Sequence, residues 1–130
     1  MNRTGFPTKQ SSPGTRDICF IFNTNSTSNP LTSSFDGAKS FVASCVRNAA
    51  GKHTVTFTDA VTKVLWASPE LDDTANDGAY ATVASISNEG TSTPLSLVVY
   101  TRAGATTTAT DYAARRVMLR VCVKESTVAG

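Results

Sequence analysis

Residues 40–58 decide the fold. They read Ser40-Phe41-Val42-Ala43-Ser44-Cys45-Val46-Arg47, then Asn48-Ala49-Ala50-Gly51, then Lys52-His53-Thr54-Val55-Thr56-Phe57-Thr58. In the last run His53, Val55 and Phe57 fall on one side of a pleated chain, and Thr54, Thr56 and Thr58 on the other. That two-residue period is the signature of a strand with one buried face. An apolar run on each side of a short Gly-containing turn predicts a β-hairpin, with strands at 40–47 and 52–58 and the turn at 48–51.

The same reading extends in both directions. Along 116–124, Val117, Leu119, Val121 and Val123 face one way, and Arg116, Met118, Arg120, Cys122 and Lys124 the other. Strands are also predicted at 16–22, 61–67, 79–87 and 95–102, the second of these ending at Ser68-Pro69. Between them, 23–34 and 103–110 are loops of small residues, 35–39 is a connector, 70–78 is an acidic loop and 88–90 is a turn. Residues 111–115 are predicted to form one helical turn, capped by Thr110 or Asp111. About seven to eight short strands separated by turns describe an all-β protein, an antiparallel β-sandwich. Residues 1–15 hold no alternation and read as an extended N-terminal arm with Phe6 as its one large apolar anchor. Residues 16–130 are one domain.

Composition agrees. The chain has 20 Thr and 14 Ser, and its 35 Val, Ile and Thr residues stand against 6 Leu and 3 Glu. A helical bundle draws on Leu, Glu and Lys, whereas β-branched side chains pack well on a pleated sheet. The net charge of +2 and pI of about 8.5 are too weak for an expected nucleic-acid partner. No apolar run approaches the roughly 18 residues of a membrane helix. The run Ile18-Cys19-Phe20-Ile21-Phe22 is too short for the core of a secretion signal. Cys19, Cys45 and Cys122 each lie within an apolar-alternating segment. Their odd number and wide spacing argue against a disulfide framework and for assembly in a reducing compartment.

Catalytic constellations are missing from the sequence. His53 is the one histidine and sits in mid-strand, and no Gly-x-Ser-x-Gly elbow accompanies it. Gly51-Lys52 lacks the upstream glycine of a phosphate loop. Three cysteines and one histidine include no Cys-x-x-Cys pair, so no zinc site is expected. Asp73, Asp77 and Gly78 match positions one, five and six of a calcium loop, but Ala75 and Ala84 occupy positions three and twelve, and the motif fails. The sequons at Asn2 and Asn25 are what chance gives in a chain this rich in Ser and Thr. No cofactor and no metal are expected. The basic side of the last strand, Arg116, Arg120 and Lys124, is the candidate contact surface, joined by Arg102 and Arg115 if the fold brings them near. Single-stranded nucleic acid would call for aromatics there; the strand itself supplies Met118 and Cys122.

The order Val46-Arg47-Asn48-Ala49-Ala50-Gly51-Lys52-His53-Thr54-Val55-Thr56-Phe57, then Asp72-Asp73, Pro94-Leu95-Ser96-Leu97-Val98-Val99-Tyr100, Asp111 and Arg116-Val117-Met118-Leu119-Arg120-Val121 resembles small virion structural proteins of tailed bacteriophages, in particular capsid decoration (cement) proteins. The resemblance spans about 80 of the 130 residues. It implies a jelly-roll-like sandwich on the outside of a head shell, often a trimer, made in the bacterial host cytoplasm and bound to the major capsid protein. On that expectation the protein is not an enzyme; it bridges capsid subunits, using Phe6 of the arm and Arg116, Arg120 and Lys124. The alternative is a tail or fibre-associated virion protein that binds carbohydrate through Trp66, Tyr80, Tyr100 or Tyr112.

Overall fold

Alternation along each strand is converted into two facing sheets. The computed structural model describes residues 15–89 and 93–125. Among these residues eight strands run in order: β1 (Thr15–Asn23), β2 (Asp36–Gly37), β3 (Val42–Ala49), β4 (Lys52–Phe57), β5 (Val61–Leu71), β6 (Tyr80–Ser87), β7 (Ser96–Arg102) and β8 (Arg116–Glu125). One sheet has the order β2-β1-β8-β5 and the other β3-β4-β7-β6, every pair antiparallel. The antiparallel β-sandwich expected from the sequence is therefore the fold. Residues 1–14, including Phe6, lie outside the described residues, and Thr15 belongs to β1 rather than to the arm.

Each inner face is apolar for the reason read from the sequence. Ile18, Phe20 and Phe22 of β1 and Val117, Leu119, Val121 and Val123 of β8 meet Val55, Phe57, Leu97 and Val99 of the other sheet, all buried. The first strand lies beside the last, a jelly-roll feature. The remaining order is that of a constant-type immunoglobulin sandwich, ABED against CFG. Here β3-β4-β7-β6 takes the place of ABED and β5-β8-β1 that of CFG, with the seventh position filled from the N-terminal side of the chain and the two-residue β2 added outside β1 as an eighth strand.

Three local predictions are corrected. The hairpin turn is shorter than 48–51, because β3 continues to Ala49 through a bulge and Lys52 pairs with Ala49. Gly51 closes it with φ +65°, and a Cβ there would stand 2.5 Å from the Thr110 nitrogen and 2.7 Å from the Thr101 oxygen, so only glycine fits. The strand predicted to stop at Ser68-Pro69 runs on to Leu71, with Pro69 opposite Leu119. β5 is an edge strand, and its free side tolerates a residue without an N–H. The helical turn at 111–115 does not form. Asp111 instead accepts from Arg47 and from the Gly51 N–H (2.9 Å), which ties the segment to the hairpin.

Loops 24–35, 72–79 and 103–115 gather with the hairpin turn at one end of the sandwich. Arg47 donates to Asp111 at 2.9 and 2.7 Å. Arg115 donates to both oxygens of Asp77 (3.0 and 2.5 Å) and lies over the Tyr112 ring, 4.4 Å from its centroid. The Thr24 N–H reaches the Arg115 carbonyl (2.9 Å), and the Arg115 N–H returns to the Thr24 hydroxyl (2.9 Å).

Candidate functional site

Because β8 is central in its sheet, its outward side chains have neighbours on both flanks. The register sets them in rows: Asp17, Cys122 and Trp66; Cys19, Arg120 and Ser68; Ile21, Met118 and Glu70; with Asn23 beside Arg116. A half-open depression of about 290 Å³ lies among Trp66, Ile21, Met118, Ser68, Glu70 and Arg120, with Cys19 at its margin. A bulge between Val64 and Trp66 creates one wall. It breaks the alternation of β5, so Val64 stays buried while Leu65 and Trp66 are both 45% exposed.

The expected basic patch is only partly assembled. Arg116, Arg120 and Lys124 share the outer face of β8, and among the described residues their side chains form no salt bridge or hydrogen bond. Arg115 is committed to Asp77 and Tyr112 at the loop end. Arg102 lies in the other sheet, where it donates to the Thr82 hydroxyl (3.0 Å) and the Thr107 carbonyl (2.5 Å) and covers the Tyr100 ring at 4.8 Å. Phe6 lies outside the described residues.

Sequence reading missed that Trp66 joins this face. On β8 alone the neighbours of Arg120 are Met118 and Cys122; only the register of β5 against β8 brings the indole opposite Cys122. The consecutive apolar residues Val64-Leu65-Trp66, which break the alternation, were the available signal.

The other candidates are taken up elsewhere. His53 points inward, is 1% exposed, and lies 5.4 Å from the Phe22 ring centroid. Neither imidazole nitrogen has a hydrogen-bond partner, so among the described residues no serine or carboxylate stands in position for a triad. Burial lowers its pKa; Asp111 opposes that shift and Arg47 adds to it. In the acidic loop, Asp72 accepts from the Thr74 N–H (2.7 Å), Asp73 from those of Asp77 and Gly78 (2.9 and 3.2 Å), and Asp77 from that of Ala79 (3.1 Å) as well as from Arg115. The Arg115 hydrogen bond holds the Asp77 carboxyl well below the usual range. No group of three His, Cys, Asp or Glu side chains suited to a metal occurs among the described residues. All three thiols are free. Burial pushes Cys45 up to about 12; it also raises Cys122, with a smaller contribution from Asp17. No helix among the described residues is long and apolar enough to cross a membrane.

No family model, no curated protein and no solved structure matches the chain.

Proposed function

We propose that the protein acts by contact rather than catalysis, as a virion structural protein that binds the outside of a preassembled phage capsid and bridges neighbouring major capsid subunits, as a trimer. The observation that carries this reading is the outer face of the β1-β8-β5 sheet. Arg116, Arg120 and Lys124 stand there without salt-bridge partners among the described residues, beside Ile21, Met118 and the half-exposed Trp66. An apolar, aromatic centre with arginine at its margin is the composition of a protein-binding patch. A shell presents the same docking site many times, so modest single contacts gain strength by avidity.

Co-sedimentation with purified capsids tests the reading. The wild-type chain pellets with capsids, and the variant Arg116→Glu/Arg120→Glu/Lys124→Glu stays in the supernatant while keeping its β-sheet circular dichroism. A wild-type chain that never pellets refutes it.

A further inference from the structure

We propose that the depression beside Trp66 is a carbohydrate subsite that takes one neutral hexopyranose ring. This goes beyond shell contact: Ile21, Met118, Trp66 and Arg120 also belong to the docking face, so sugar and shell compete for them and the subsite is open in the chain off the capsid. Four aromatics are candidates for stacking a sugar, and the structure separates them. The Tyr80 hydroxyl donates to the Thr106 carbonyl, Tyr100 lies under Arg102, and Tyr112 lies under Arg115 and donates to the Arg102 carbonyl (3.2 Å). Trp66 is 45% exposed and meets no ring or cation among the described residues.

The lining chemistry selects the ligand class. Trp66, Ile21 and Met118 make an apolar wall and floor, while Ser68, Glu70 and Arg120 supply the polar side. A hexopyranose has the matching division: a face of C–H groups for the indole and a rim of hydroxyls that both donate and accept. Glu70 accepts, Arg120 donates and Ser68 does either. A wholly apolar ligand would strip water from Glu70 and Arg120 without replacing it. An anion meets Glu70, and a cation meets Arg120. The volume of about 290 Å³ lies at the lower limit of the roughly 300–1,000 Å³ typical of ligand pockets, which suits a single ring. Every lining residue stands on a strand, so the geometry is set before the ligand arrives.

The test uses the full chain. Trp66 is its one tryptophan, so intrinsic fluorescence reports on this site alone. Titration with methyl β-galactopyranoside and methyl β-glucopyranoside is expected to give a saturable change with at least one, and a glycan array is expected to show binding to neutral glycans. Trp66→Ala loses array binding by about tenfold or more. Trp66→Phe, which keeps an aromatic platform, retains part of it; both variants melt with the wild type. The proposal is overturned by no saturable change and no array binding, by undiminished binding in Trp66→Ala, or by binding confined to acidic glycans. Capsid co-sedimentation of the wild-type chain without sugar is read separately: pelleting with no sugar binding overturns the subsite alone, and sugar binding with no pelleting overturns the shell reading alone.

Discussion

Replacing His53 by leucine is expected to stabilise the protein and remove part of its sensitivity to mild acid. The neutral imidazole carries one donor and one acceptor, and both nitrogens are buried without partners. Leaving a buried polar group unpaired costs about 1–3 kcal/mol. Leucine is close to histidine in volume, and repacking beside Phe22 costs less than about 1.5 kcal/mol. The two orphaned nitrogens together cost at least about 2 kcal/mol, so after repacking the net gain at pH 7 is at least about 0.5 kcal/mol, a rise in Tm of about two degrees or more for a domain of this size. The pH dependence follows from the lowered folded-state pKa. As pH falls below the ordinary value of 6.5, the unfolded chain binds a proton that the folded chain refuses. The stability His53 permits is therefore complete above that value and is lost progressively below it, until the folded-state pKa is reached. One proton gives a slope of at most about 1.4 kcal/mol per pH unit, and at most about 1.9 kcal/mol between pH 7 and pH 5. Urea unfolding of wild type and His53→Leu at both pH values isolates this part, because the carboxylates titrate alike in both proteins. A variant less stable than wild type at pH 7, or two stabilities falling in parallel, would falsify the account of His53 as an unpaired core imidazole.

Gly51→Ala forces a side chain into the αL region against the Thr101 and Thr110 backbone, and is expected to cost at least about 2 kcal/mol by urea unfolding. Phe20→Ala empties a fully buried site under β8 and is expected to cost about 3–5 kcal/mol. Asp77 and Asp111 titrate below their ordinary range because Arg115 and Arg47 hold them ionised, so the stability they add is present above pH 3.8 and lost as pH falls further; thermal melts of Asp111→Asn should show a flatter acid limb than wild type. Deleting residues 1–14 should leave Tm unchanged and reduce capsid co-sedimentation, and equal pelleting of both chains would remove the arm from the binding account.

The sheets were legible because burial is written into alternation. Val117, Leu119, Val121 and Val123, read as one face of a strand, are each fully buried, and so are Val55 and Phe57. Features that depend on a second strand or loop were not. Pro69 reads as a terminator until β5 proves to be an edge. Asp111 reads as a helix cap because its partner Arg47 lies 64 residues away in sequence. The basic patch was half legible: the spacing of Arg116, Arg120 and Lys124 places them on one face, but nothing along the chain says that Arg115 turns to Asp77 while Trp66 crosses over to meet Cys122.

That division bears on where the function resides. Sandwich proteins often bind through loops gathered at one end. Here the charged and aromatic groups of that end are spent on one another: Arg47 on Asp111, Arg115 on Asp77 and Tyr112, and Arg102 on Thr82 and Thr107. A partner docking there would have to break those pairs before making its own, and a truncated pair leaves its surviving member unpaired. The outer face carries no such cost. Arg116, Arg120 and Lys124 form no salt bridge or side-chain hydrogen bond among the described residues, and Trp66 already stands half out of the protein surface. Binding at the face uses groups that folding left uncommitted, so substitutions there should change binding with little effect on stability, whereas substitutions at the loop end should do the reverse.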